Sequence, residues 1–238
     1  TYDPRGAERS TKDDPTSEST PEQHADDLHR IIGEVGGPVD LFASSGGAVN
    51  ALALVAKHPE DVRILVAHEP PATSALPDRE AALAACRDIR ETYLRDGFGA
   101  AMAKFIGLVS YQGPITAEYL AQPAPDPAIF GLPAGDDGSR SDPLLGQNMV
   151  TCNAYEPDFE ALRAASTRIV IGAGEETGEA LPRRAAIAVA ERLGQPPVTF
   201  PGGHDGFLGG EYGSTGKPDA FAATLRKVLL EAPQRASA

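Results

Sequence analysis

The sequence has no tryptophan, two methionines and only two cysteines among its 238 residues. Cys86 and Cys152 lie far apart, outside any paired zinc-binding spacing and too few for a disulfide framework. They read as free thiols of a reducing compartment, so the expected location is cytoplasmic. Positive charge is scarce as well: 21 Lys and Arg stand against 34 Asp and Glu, a net charge of -13. So acidic a surface repels phosphate backbones, and nucleic acid is not an expected partner. No apolar run approaches the roughly 20 residues that span a bilayer, and no basic leader with an apolar core opens the chain, so no membrane partner and no secretion are expected. Nucleotide fingerprints are missing too. Gly172-Ala173-Gly174 is a lone Gly-x-Gly at a strand end, and the expectation is no cofactor and no metal. What remains is a small-molecule substrate, and the oligomeric state leaves no signal in the sequence.

What is present is enough for one α/β domain. The apolar fraction of 41% suits a globular core, and residues 1–238 read as a single domain. Thr20-Pro21-Glu22-Gln23 opens a helix with a capping box, and Gly36-Gly37 closes it. Val39–Ala43 is a short strand, a helix follows from Gly46 to a stop at His58-Pro59, and Arg63–His68 is a second strand. The order strand, turn, helix, strand with apolar strands implies a mostly parallel sheet flanked by helices. Residues 72–165 differ. Helical patterns over Glu80–Arg95, Gly99–Leu108 and Asn148–Ala165 surround an irregular stretch at 121–143, and this region reads as a helical cap inserted into the domain. The sheet resumes with Arg168–Ala173, a helix over Pro182–Leu193, a strand over Pro197–Phe200 and an amphipathic helix over Pro218–Leu230.

Two turns carry residues able to do chemistry. Ala43-Ser44-Ser45-Gly46-Gly47 lies between a strand and a helix. A nucleophile in such a turn needs a strained backbone and small flanks, which favours Ser45 over Ser44, whose pattern would place Phe42 at a small-residue position. The helix start offers the Gly46 N–H to a developing oxyanion. Out of that context, an ordinary Ser-Gly turn gives the same letters. The second turn, Pro201-Gly202-Gly203-His204, follows the last strand, at the carboxyl edge where parallel sheets bind ligands. His204 is the candidate general base. His24, His29 and His58 read as solvated positions on helix faces or ends, and His68 as a core residue or a support to the site. The acid that should orient His204 has two candidates. Glu69 ends the strand after the nucleophile's helix, and Glu176, beside Glu175, follows the Arg168–Ala173 strand. The balance leans slightly to Glu69. Phe98, Met102, Phe105, Tyr111, Tyr119 and Phe130 are candidates for the wall of an acyl pocket, with ordinary packing as the commoner role for such residues.

On these residues the sequence resembles the α/β-hydrolase superfamily, in its compact, cap-bearing bacterial branch. The resemblance is carried by Tyr2-Asp3-Pro4-Arg5-Gly6 with Arg9-Ser10, by Ala43–Gly47, by His58-Pro59 with Val62, and by Pro201–His204. It implies a serine hydrolase acting on carboxylic esters through a Ser-His-acid triad. The dehalogenase branch carries its acid where Glu69 falls, yet uses aspartate as nucleophile, so Ser45 argues against dehalogenation and epoxide opening. A cofactor-free haloperoxidase or perhydrolase, and a C–C bond hydrolase, are alternatives on the same fold, and a non-catalytic binding module is another. Members of the superfamily begin with further strands, and a loop after one of them gives a second oxyanion donor. Thr1–Gly6 matches a strand exit, so the expectation is an N-terminally truncated fold with an exposed sheet edge. Loss of that donor would cost about 10²–10³ in turnover.

Overall fold

The computed structural model describes residues 1–231. Helix α1 (Pro21–Val35), strand β1 (Val39–Ser44), helix α2 (Gly46–Lys57) and strand β2 (Val62–His68) form the first half. Helices α3 (Arg79–Asp96), α4 (Phe98–Ser110), α5 (Ala117–Leu120), α6 (Met149–Ala154) and α7 (Phe159–Ala164) follow. Strand β3 (Arg168–Gly174), helix α8 (Leu181–Leu193), strand β4 (Val198–Phe200) and helix α9 (Pro218–Leu230) complete the chain. The strands pair in parallel in the order β1-β2-β3-β4.

Alternation along the strands explains why helices cover both faces. Leu65, Ala67, Ile169 and Ile171 turn to one face and pack with Leu28 and Ile32 of α1, Leu52 of α2 and Val189 of α8. Val66 and Val170 turn to the other and meet Phe200, Phe221 and Val228, where α9 closes the layer. A separate apolar cluster joins α3, α4 and Met149 to Leu181 and Ala185 of α8. The start of α1 is built as its sequence dictates. Thr20 and Gln23 form a reciprocal capping box, Pro21 sits in the first turn, and Gly36 ends the helix in the left-handed region at φ 78°.

Several local expectations need correction. Residues 1–20 contain no strand. Among the described residues β1 pairs with β2 only, which leaves its outer edge free. The end of the polar stretch before α1 is tied down. Ser19 is fully buried, its N–H donates to the Gln147 carbonyl at 2.8 Å, and Gln147 Nε2 donates to the Pro15 carbonyl at 2.9 Å. His24 is buried rather than solvated, with Nε2 2.7 Å from Asn148 Oδ1. The short helix α5 and the wide helical turn at Pro143–Asn148 have no counterpart in the sequence pattern. No described helix is long and apolar enough to cross a membrane.

Candidate active site

Ser45 occupies the turn between β1 and α2 with φ 54° and ψ -131°. This is a sparsely populated conformation for a residue with a side chain. Its main chain is pinned on both sides: the N–H donates to the His68 carbonyl at 2.9 Å, and the carbonyl accepts from Ala48 N–H at 2.9 Å. Crowding does not demand the glycines that follow, since a Cβ on Gly47 would meet nothing within 4 Å. A Cβ on Gly46 would lie 3.4 Å from Cys152 Sγ. Helix α2 begins at Gly46, and the N–H groups of a first helical turn have no partner within the helix.

Glu69 also adopts a positive φ, 46°, just beyond β2, and is completely buried. The backbone there is fixed by Glu69 N–H donating to the Gly172 carbonyl at 3.0 Å. Both carboxylate oxygens are used. Oε1 accepts the Gly174 N–H at 2.7 Å, and Oε2 lies 2.7 Å from His204 Nδ1. Burial alone would push this carboxyl up, but the hydrogen bond and charge of His204 and the Gly174 N–H together hold it below the usual glutamate value. An ionised carboxylate only accepts, so Nδ1 carries the proton and Nε2 is the free nitrogen of His204.

The His204 loop can reach Glu69 because glycine lines its path. Gly202 has φ 85°, and a Cβ there would lie 2.7 Å from Gly206 Cα. A Cβ on Gly174 would lie 2.8 Å from the Gly203 backbone. The segment after β3 holds the loop through its main chain, with Glu175 N–H donating to the Phe200 carbonyl and Glu176 N–H to the Gly202 carbonyl, each at 2.9 Å. The side chain of Glu176 turns away and pairs with Lys217. The structure therefore brings Glu69, and not Glu176, to His204.

Behind this pair His68 is fully buried against the rings of Phe200 and Phe221, with centroids 5.5 and 5.1 Å away. Burial pushes its pKa down to about 4. It is a neutral packing residue, and its ring nitrogens find no hydrogen-bond partner.

Ser45, Gly46 and His204 share one cavity of about 150 Å³, the scale of a void that holds a benzene ring. The described hydrogen bonds do not join Ser45 to His204, a contact that tightens in many hydrolases only with substrate in place. The rest of the lining is mainly apolar, with Phe105 and Leu108 of α4, Met149 and Cys152 of α6, and Leu181 of α8. Of the aromatic and methionine residues expected at the wall, Phe105 alone lines this cavity. Phe98 and Met102 pack beside the cluster of α3 and α4, Tyr111 and Tyr119 line a different depression, and Phe130 is exposed. The two free thiols, Cys86 and Cys152, both line the cavity. Burial raises each to about 12, so they are wall atoms and poor nucleophiles. No sequence pattern marked them.

No family model matches the sequence. The chain is 29% identical over 212 residues to the uncharacterized hydrolase YraK of Bacillus subtilis (strain 168), spanning 87% of this chain and 72% of that protein. Among solved structures it is similar to MGS-M2, an α/β-hydrolase enzyme from a Medee basin deep-sea metagenome library. That match has a TM-score of 0.62 at 17% identity and covers 100% of this chain and 81% of the other. A thermophilic esterase from Thermogutta terrifontis matches with a TM-score of 0.63 at 20% identity, over 95% of this chain and 77% of the esterase. The chain has the α/β-hydrolase fold.

Proposed function

We propose that this chain is a serine hydrolase that cleaves small carboxylic esters through an acyl-enzyme on Ser45. His204 is the general base and Glu69 the acid that orients it. The observation that carries the reading is the contact of buried Glu69 with half-buried His204 at 2.7 Å, with His204 lining the same cavity as the strained Ser45 turn. Residues 72–165 act as the cap, since most of the apolar lining comes from them.

In this reaction Ser45 Oγ attacks the ester carbonyl while its proton passes to His204 Nε2. The Gly46 N–H, at the positive end of α2, faces the oxyanion. The C–O bond to the alcohol breaks, and His204 returns the proton to the departing oxygen. A water then gives a proton to His204 and attacks the acyl carbon, and His204 passes that proton to Ser45 Oγ as the acyl C–O bond breaks, releasing the carboxylic acid and free Ser45. Throughout, Glu69 keeps the proton on Nδ1 and balances the imidazolium. The similarity to an uncharacterized hydrolase supports hydrolysis, that to an esterase from T. terrifontis favours the ester class, and the small apolar cavity supports a short acyl group.

The test is labelling with a fluorophosphonate, alongside hydrolysis of p-nitrophenyl acetate and longer acyl homologues. A single adduct on Ser45, with turnover abolished in Ser45→Ala, is expected. A folded protein that neither takes the label nor turns over any ester would refute the proposal.

A further inference from the structure

A second cluster of ligating side chains lies far from Ser45. His29 projects from the middle of α1, and His58 and Asp61 belong to the turn between α2 and β2. One nitrogen of each imidazole and one Asp61 oxygen all lie within 4.8 Å of one another. His29 Nδ1 sits 2.7 Å from Asp61 Oδ2, and the Asp61 side chain is only 13% exposed. The two imidazoles stack face to face, with centroids 3.9 Å apart and planes inclined by 12°. His58 is held in the turn, its N–H donating to the Leu54 carbonyl at 2.6 Å, with Pro59 following.

We propose that His29, His58 and Asp61 form a structural site for a divalent transition-metal ion of the zinc class, which fastens α1 to the α2–β2 turn. The donor set decides the class. Two imidazoles and one carboxylate suit zinc, cobalt, nickel or copper, whereas magnesium and calcium prefer oxygen donors throughout. Bonds of about 2.1 Å in a tetrahedral shell put ligand atoms roughly 3.4 Å apart, so the His29–Asp61 pair at 2.7 Å must open slightly while the wider separations, within 4.8 Å, close. Rotation about the imidazole χ2 torsions, which are broad, supplies that motion. Parallel stacked rings cannot both aim lone pairs at one ion, so binding must splay them. A fourth ligand is at hand in water or in Glu60, whose Oε1 lies 3.4 Å from His58 Nδ1.

The site is remote from the chemistry. Asp61 immediately precedes β2, and Glu69 immediately follows it, so the strand separates the two by roughly 26 Å at about 3.3 Å per residue. The metal would act on folding and on the docking of α1, independently of any reaction at Ser45. It would stabilise the protein by binding the folded state alone.

The experiment uses the untagged, chelator-treated chain. Zinc is titrated in competition with a chromophoric chelator, and cobalt is followed by its visible spectrum. One equivalent of zinc is expected to bind, with affinity falling about tenfold or more in His58→Ala and in Asp61→Asn. Zinc should raise the melting temperature of the native chain and leave both variants unmoved. Millimolar magnesium should not compete. In the native protein, which needs no substitution, cobalt should shift the imidazole proton resonances of His29 and His58 and leave those of His204 in place. Failure to take up one equivalent would overturn the proposal. So would uptake unchanged in both variants, displacement of zinc by magnesium, or cobalt shifts centred on His204.

Discussion

At Ser45 and Glu69 the backbone carries the two side chains in positive-φ conformations, 54° and 46°. Such conformations cost of order 1–3 kcal/mol each and persist only where the surroundings over-determine them. Here the strand ends do so, since His68 contributes its carbonyl to Ser45 N–H and Gly172 contributes its own to Glu69 N–H. Strain of this kind can be released. Ser45→Gly should raise the melting temperature while abolishing ester turnover, whereas Ser45→Ala should abolish turnover without that gain. Calorimetry on the pair checks this, and equal melting temperatures would remove the strain account. The acid is tested at the same scale. Glu69→Gln keeps the shape but no longer holds the Nδ1 proton, so kcat should fall by roughly 10³–10⁴ with KM little changed. Glu176→Gln should stay within about twofold of native. The places of Ser45 and His204 were legible because each sits in a glycine-flanked turn at the carboxyl end of a strand. The choice between the two glutamates was not. Both follow neighbouring parallel strands, and position along the chain does not say where a carboxylate points. The Gly174 N–H aimed at Glu69 and the Lys217 ammonium beside Glu176 leave Glu69 as the carboxylate against His204, and both are facts of tertiary structure.

At the level of elements, the glycine that ends β3 matters more than its helix or strand propensity suggests. Gly174 donates to Glu69 and faces the Gly203 backbone so closely that a Cβ would intrude to 2.8 Å. Gly174→Ala should therefore push the His204 loop away from Glu69, with turnover falling at least about tenfold and the melting temperature dropping. Near-native turnover in this variant would show that the loop has slack the packing does not suggest. Periodicity found the elements that depend on local signals. The capping box at Thr20 and Gln23, the Gly46 start of α2 and the span of α9 over Pro218–Leu230 all match the sequence pattern. The pattern failed where a distant partner decides. His24 reads as solvated on a helix face, yet it is buried against Asn148, as Ser19 is against Gln147, both more than 120 residues away in the chain. The turn at Pro143–Asn148 is wide because Asp142, Gln147 and Asn148 each tie it to main-chain groups, and no spacing rule anticipates that.

For the whole molecule, the buried imidazole of His68 sets how stability responds to acid. Its pKa falls from 6.5 to about 4 through burial, partly offset by the Glu69 carboxylate and reinforced by the nearby His204. The unfolded chain takes up the proton near 6.5, while the folded one refuses it until about 4. Between those values the unfolded state binds more protons, so stability falls as pH falls. From pH 7 to pH 5 this amounts to about 2 kcal/mol, at roughly 1.4 kcal/mol per pH unit below 6.5. His24, lowered by burial as well, adds loss of the same sign. Glu69 acts later: its carboxyl lies below the ordinary 4.5 in the fold, so its contribution is intact above that value and disappears only as pH drops through the lower one. The first loss on acidification thus belongs to histidine and not to the proposed triad acid. His68→Leu fills the space between Phe200 and Phe221 with an apolar group that cannot titrate. Urea unfolding at pH 7.5 and pH 5 should give a drop in stability that is about 2 kcal/mol smaller in this variant than in the native chain, the remainder coming from His24. An unchanged drop would mean that His68 finds a partner for its proton in the folded state, and the account of a neutral imidazole behind Glu69 would fail with it.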